Sequence, residues 1–275
     1  MSKPSLSVIF ITKNEEFHIG NAIDSVTDLA EQIFVVDSGS SDGTVRLAKE
    51  KGAVVFEHPF KNFGDQWNWA LDNCPIKSEW TMKMDPDERL SESLKKDIAK
   101  ICSEKNDVTG LEFDRVLWFM GKRIPSWRDR VLRVWRTGQC RFTDVAVNEY
   151  PLVKGRVIRL QGLMEHLDSR DLHHWVEKQN KYTTAEALRR LRGEPMAQMP
   201  KLFGSRLERR MWIKKLFFKL PFRYGLMFCH LYFGKRLFLL GRTGLECALL
   251  RMWSRRLIEQ KMVEAITTGR MPSIS

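Results

Sequence analysis

The chain has 275 residues, of which 43% are hydrophobic and 29% charged; this balance excludes a disordered chain and suits one sizeable domain with an appendage, or two modest domains. Five cysteines (Cys74, Cys102, Cys140, Cys229, Cys247) make no C-x-x-C pair and are odd in number, which argues against a disulfide framework or a cysteine zinc site and for reduced thiols in a cytosolic protein. The net charge of +12 falls entirely in residues 201–261, where fifteen Lys and Arg face Glu208, Glu246 and Glu259, while residues 1–200 are balanced.

In chain order, Leu6 to Thr12 reads as a buried strand. It is too short for the core of an export signal, and Lys13-Asn-Glu-Glu16 follows it directly. Glu15 to Val26 predicts a helix with Ile19, Ala22, Ile23 and Val26 on one face. Gln32 to Val36 is a second strand ending at Asp37, followed by the turn Ser38-Gly-Ser-Ser-Asp-Gly43 and a helix over Thr44 to Lys51 that Gly52 stops. Ala53 to Glu57, Asp65 to Asn73 and Glu79 to Met84 continue as strand, helix and strand. This alternation predicts βαβ units, hence a Rossmann-like, mostly parallel α/β sheet with helices on both faces. Right-handed crossovers bring the carboxyl ends of the strands to one edge, so Asn14, Asp37 and Asp85 are expected in one crevice. A nicotinamide-binding fold and a P-loop are both excluded by the first turn, Thr12 to Glu16, which has no glycine. No stretch reaches the roughly 18 apolar residues that a spanning helix needs.

The segment Trp80-Thr-Met-Lys-Met-Asp-Pro-Asp-Glu88 is an apolar run that ends in three carboxylates within four residues. Asp85 and Asp87 at a strand end repel each other unless a cation sits between them, and hard oxygen ligands suit Mg²⁺ or Mn²⁺. Pro86 restricts Asp85 to extended geometry, so the strand is expected to carry the pair outward before any helix begins. Taken alone, Asp-Pro-Asp-Glu also reads as an acidic turn, or as the start of a helix running through Ser91 to Ile101.

Three segments together, Ser7-Val-Ile-Phe-Ile-Thr-Lys-Asn-Glu-Glu16, Val35-Val-Asp-Ser-Gly-Ser-Ser-Asp-Gly-Thr44 and Met84-Asp-Pro-Asp-Glu88, resemble the family 2 glycosyltransferases, which share the GT-A fold. Four further matches are similar to the bacterial branch that builds lipopolysaccharide core. They are Phe63-Gly-Asp-Gln66, Trp127-Arg-Asp129 through Arg136, Val147-Asn-Glu149, and His166 followed by Trp175 to Tyr182. The resemblance covers about residues 5 to 185. It implies that Thr12, Asn14, Glu15 and Asp37 hold the uridine of a nucleotide sugar, with Gln66, Lys83 and Asp85 completing the donor site. It further implies that Asp85, Asp87 and His166 serve a divalent cation, Mg²⁺ or Mn²⁺, and that Glu149 is the catalytic base with Asp129 its rival. Two positions depart from the branch. Asn148 replaces a histidine, and Trp67 replaces an Arg or Lys that could touch the diphosphate, a role open to Lys61, Lys83 or Arg130. Without the resemblance, Glu149 reads as a surface strand residue, His166 as an ordinary buried histidine, His173 and His174 as the start of a helix, and Glu165 and Asp168 as solvated charges.

An inverting transfer needs a base for a weakly nucleophilic sugar hydroxyl and positive charge for the departing diphosphate. The Arg128, Arg130 and Arg133 cluster is the expected cationic support. The expected donor is a UDP-hexose, and the acceptor a glycan or lipid-linked glycan of the cell envelope. A polyprenyl-phosphate glycosyltransferase or a non-catalytic membrane-binding GT-A domain are the alternatives.

The expected organisation is a catalytic domain over residues 1–192, a hinge at Gly193 to Pro200, and a basic helical extension over residues 201–275. Leu245, Ala248, Leu249, Met252, Trp253 and Leu257 share one predicted helix face, with Glu246, Arg251, Ser254 and Arg255 off it. Basic and aromatic residues mixed at low hydrophobicity suit an anionic membrane surface, so the protein is expected to be cytoplasmic and peripheral on the inner face of the membrane. No nucleic-acid motif accompanies the charge.

Overall fold

In chain order the first elements are β1 (Leu6–Thr12), α1 (Glu16–Asp24), β2 (Gln32–Asp37), α2 (Thr44–Glu50), β3 (Val54–Glu57), α3 (Phe63–Asn73) and β4 (Trp80–Met84). The computed structural model describes residues 3–143, 150–193, 203, 206–217 and 220–272. The predicted boundaries hold to within two residues. β1 pairs in parallel with β2 on one side and β4 on the other, and β2 pairs in parallel with β3. Every residue of β4 is buried, as expected of a strand covered on both faces.

The chain continues with β5 (Glu88–Leu90), α4 (Glu92–Ser103), β6 (Val108–Phe119), β7 (Lys122–Arg136), β8 (Cys140–Phe142), β9 (Pro151–Val153) and β10 (Arg156–His166). The sheet order is β3-β2-β1-β4-β7-β6-β10-β5. β7 is antiparallel to β4, β10 is parallel to β6, and β5 is antiparallel to β10, so the sheet is mostly parallel but mixed. One apolar cluster joins Val8 and Phe10 of β1 to Ile19 and Ile23 of α1, Ala48 of α2 and Leu94 and Ile98 of α4. A second, on the opposite face, joins Ile9, Phe34 and Val36 to Trp67 and Ala70 of α3, Trp135 and Phe142. Helices therefore cover both faces.

β4 lies mid-sheet and β5 at the edge, four strand steps apart. Flat strands would separate them by about 19 Å. The three residues between Met84 and Glu88 let the chain reach at most about 14 Å. The sheet must therefore coil strongly between β4 and β5, and that coiling carries the acidic turn back over the strand ends.

The chain forms two compact bodies, residues 1–118 with 127–168 and residues 119–126 with 169–275. The division falls after Asp168, earlier than the expected hinge, most of which (residues 194–200) lies outside the described residues. The second body contains α5 (Leu172–Leu191), α6 (Arg206–Phe217), α7 (Arg223–Cys229) and α8 (Arg242–Thr268), with a π turn over His230–Gly234 and a 3-10 turn over Leu237–Leu240. Asp171 caps α5 by accepting from the His174 amide at 2.7 Å. α5 packs along α8, where Lys261 Nζ donates to the Asn180 carbonyl (2.9 Å) and to Thr184 Oγ1 (2.6 Å).

Of the apolar face expected on α8, Ala248 is buried and Leu245, Met252 and Leu257 are half-buried. Gly244, Cys247, Ala248, Ser254, Ile258 and Ala265 are buried, while Leu249 and Trp253 are exposed. Small residues allow close approach between helices. A Cβ at Gly244 would overlap the Leu237 carbonyl. The buried side of α8 is thus built largely from small residues.

Candidate active site

The carboxyl ends of β1 and β2 are joined by a network internal to the protein. Thr12 lies opposite Asp37 in the register, and its hydroxyl donates to Asp37 Oδ1 at 2.9 Å. The same carboxylate accepts from the Gly39 amide (2.9 Å), the Ser40 amide (2.7 Å) and the Ser40 hydroxyl (2.5 Å). Asn14 has a left-handed backbone (φ 55°), a conformation that asparagine tolerates better than most residues. Its amide donates to Ser40 Oγ and its side chain accepts from the Ser41 amide, at 2.8 and 2.9 Å. The Glu15 amide donates to Thr44 Oγ1 at 2.8 Å. Thr12, Asn14, Glu15 and Asp37 thus meet at one place, where they tie the two loops together.

Phe10 is opposite Met84, so Asp85 follows on the same sheet edge as Thr12 and Asp37. Beyond it the chain does not stay extended. The Glu88 amide donates to the Asp85 carbonyl at 3.0 Å, closing a β-turn with Pro86 at its second position, where proline is favoured. This turn sends the paired carboxylates to different partners. Asp85 Oδ2 accepts from Arg133 Nη2 at 2.8 Å. Burial alone would raise the Asp85 carboxyl; the charges of Arg133 and Lys83 outweigh it and hold the group below the ordinary carboxylate range. Glu88, fully buried, accepts from the same Arg133 nitrogen and from Arg115 at 3.0 Å, and its other oxygen accepts from the Asp85 amide at 2.9 Å. Burial acts to lower the Arg133 guanidinium, but Asp85 and Glu88 raise it, so its charge is secure. Arg115 also approaches Asp129 at 4.0 Å. The Asp129 side chain is 60% exposed, an open carboxylate tied through Arg115 to the buried acidic turn. Arg130 faces Glu112 at 3.4 Å, while Arg133 of the expected arginine cluster meets Asp85 and Glu88 of the turn.

Asp87 goes the other way. β5 pairs with β10 so that Glu88 lies opposite His166, and the Leu167 amide donates to the Asp87 carbonyl at 2.7 Å. His166 Nε2 consequently sits 3.3 Å from Asp87 Oδ2 and 4.0 Å from Asp168 Oδ1. One ligand atom from each of Asp87, His166 and Asp168 lies within 4.8 Å of the others. Two carboxylates and an imidazole at this spacing fit a single divalent cation. Asp85, expected among the ligands, is not in this group. Asp168, expected to be solvated, is buried and belongs to it. Glu165 accepts from Trp118 Nε1 at 2.6 Å.

Gln66 is fully buried and donates to the His58 carbonyl at 3.2 Å. The Lys83 ammonium lies 4.5 Å from the centre of the Trp67 ring and 5.2 Å from that of Phe142. Trp67, where a diphosphate-binding cation was expected, is fully buried and stacks on Phe142 at 5.6 Å. It serves as packing and as a cation–π seat for Lys83. Asn148 and Glu149 lie outside the described residues. No local sequence signal sets Glu88 or Arg115 apart. Glu88 follows directly on Asp85-Pro-Asp87, whose paired aspartates mask its separate job; Arg115 sits mid-strand in β6.

The family description Glycosyl transferase family 2 matches residues 7–149. Among curated relatives, a glycosyltransferase of Rickettsia typhi is 28% identical over 229 residues, 78% of this chain and 76% of that protein. The lipopolysaccharide core biosynthesis glycosyltransferase LpsC of Rhizobium meliloti is 27% identical over 254 residues, 88% of this chain and 86% of that protein. Among solved structures, the glucosyl-3-phosphoglycerate synthase of Mycobacterium tuberculosis, in complex with Mn²⁺, UDP and glucosyl-3-phosphoglycerate, is 21% identical with a TM-score of 0.34. That match covers 41% of this chain and 44% of the synthase.

Proposed function

The chain belongs to glycosyl transferase family 2, and on that premise we propose that it moves a sugar, with inversion, from a nucleotide sugar of the UDP-hexose class to a glycan or lipid-linked glycan of the bacterial envelope. The observation that carries the reading is the meeting of Asp87, His166 and Asp168 at the turn that follows β4, on the edge that also holds Thr12 and Asp37. The envelope acceptor is supported by the similarity to LpsC, which spans most of both chains.

In this reading Asp87, His166 and Asp168 hold Mg²⁺ or Mn²⁺, which when bound supplies positive charge to the departing diphosphate. Asp37 and Asn14 hold the loop that frames the nucleoside. Arg133 fixes Asp85 at the mouth of the site and limits the repulsion between the two aspartates. The acceptor hydroxyl attacks the anomeric carbon from the face opposite the diphosphate; a new C–O bond forms as the bond to the phosphate oxygen breaks. The hydroxyl proton passes to a carboxylate. Glu149 is that base by its resemblance to the branch, and Asp129 is the second candidate, favoured by its exposure and by its link through Arg115 to the acidic turn.

A panel of nucleotide sugars tests the proposal, scored by release of nucleoside diphosphate with and without Mn²⁺ and in the presence of envelope glycolipid acceptors. One donor should stand out, hydrolysed slowly alone and releasing nucleoside diphosphate faster with acceptor, as its sugar is transferred. A chain that neither binds nor turns over any nucleotide sugar would sink the reading.

A further inference from the structure

We infer that residues 222–240, α7 with the short turns that join it to α8, form a surface that docks on an anionic lipid bilayer. Single exposed apolar side chains are ordinary on a protein surface, whereas a contiguous group of them marks an interaction site. Here the rings of Phe228, Tyr232, Phe233 and Phe238 form a contiguous group. Phe222, Leu226, Phe233, Phe238 and Leu239 are all exposed, from 44% at Phe238 to 89% at Phe222. The Phe233 and Phe238 rings lie 6.3 Å apart, and Tyr232 contacts Phe233 at 5.1 Å and Phe238 at 6.3 Å. Phe228 stacks on Tyr232 at 5.3 Å and extends the patch. Arg236 takes a left-handed backbone (φ 55°) between Phe233 and Phe238, turning the chain so that the two rings meet.

Charge selects the occupant. Residues 209–245 contain nine Lys and Arg and no Asp or Glu, and of the nine Arg223 is paired with Glu259. A second copy of the chain meeting this surface through a two-fold axis would set like charge against like charge. A nucleic acid would match the charge, but it engages aromatic rings singly, by base stacking, whereas these rings pack on one another. A bilayer satisfies both features, with anionic headgroups for Arg236 and its basic neighbours and the acyl boundary for the aromatic and leucine side chains. Among the described residues no helix is long and apolar enough to cross a membrane, so the contact lies in the interface. The proposed membrane-linked acceptor supplies the purpose of such a dock, and the inference rests on that reading for its purpose alone.

The test is co-sedimentation of the full chain with vesicles of phosphatidylcholine, with and without 30% phosphatidylglycerol as a ~3:7 mixture, at 0.1 M and 1 M salt. Binding should favour the anionic vesicles, weaken with salt and keep a salt-resistant fraction. Phe233→Ser with Phe238→Ser should lower partitioning about tenfold or more, and Arg236→Glu should reduce the preference for anionic lipid. Should the double variant misfold, Cys229, the exposed cysteine of the five, carries a polarity-sensitive fluorophore on an otherwise unchanged chain and should report an apolar environment on adding anionic vesicles. Wild-type protein that ignores anionic vesicles at 0.1 M salt, or a Cys229 probe that stays in water, overturns the inference; a dimer split by the double variant, or retained RNA, without vesicle binding does the same. Donor hydrolysis is read without lipid, so its absence beside intact vesicle binding would count against the transferase reading and not against the dock.

Discussion

The fully buried Glu88 carboxylate holds the Arg133 guanidinium, and the same guanidinium nitrogen reaches Asp85 at 2.8 Å. One arginine therefore anchors the less buried member of an aspartate pair to a fully buried carboxylate. Removing one partner of a buried pair leaves an uncompensated charge, at a cost of about 3–5 kcal/mol. Glu88→Ala should lose stability of that order in urea unfolding. Asp85→Asn, at a side chain 31% exposed, should cost much less.

The turn through Pro86 separates the aspartates by role. Asp87→Asn, Asp168→Asn and His166→Ala should each weaken Mn²⁺ affinity by about 10–100-fold or more, measured by calorimetry. Asp85→Asn should leave the affinity within a few-fold of wild type. Equal losses at Asp85 and Asp87 would restore the ligand pair expected from the Asp-x-Asp spacing.

The identity of the base is separable by turnover. Glu149→Gln should lower kcat by about 10²–10⁴ while donor binding is kept. A loss of that size for Asp129→Asn, with Glu149→Gln nearly active, assigns the proton to Asp129.

Glu259 gives a pH signature in the helical body. It accepts from Arg223 at 2.5 Å. Burial would raise its carboxyl, but the hydrogen bond and the charge of Arg223 outweigh this and hold it below the ordinary value. A depressed folded-state pKa contributes stability that is full above the unfolded value, about 4.3, and is lost as pH falls through the folded value. Thermal unfolding between pH 6 and pH 3, taken as roughly the window around that value, should show a steeper acid loss for wild type than for Glu259→Gln. Parallel curves would remove Glu259 from the account of acid stability.

The sequence made the first half of the sheet legible because its strands are continuous apolar runs and its helices carry one-sided stripes. β1, β2 and β4 and their shared edge follow from pattern alone. The long strands β6, β7 and β10 were hidden by their mixed burial, with polar residues such as Arg115 and Asp129 interrupting the apolar rhythm. Asp168 was missed because its burial comes from the pairing of β5 with β10, a contact some eighty residues apart along the chain. Pro86 was read for its effect on the residue before it, whereas its own fixed φ set the turn. On α8, close packing chose glycine, alanine and serine over leucine and tryptophan, which no count of hydrophobic residues anticipates.

UDP binding followed by calorimetry, with Mn²⁺ and then with EDTA, on wild-type protein and Asp87→Asn, tests the nucleotide-sugar site most directly. Wild type should bind UDP with Mn²⁺ present and at least about tenfold more weakly without it, and Asp87→Asn should bind weakly in both conditions. UDP affinity that is indifferent to Mn²⁺, or an Asp87→Asn protein that binds as wild type does, would contradict a metal-centred donor site at Asp87, His166 and Asp168.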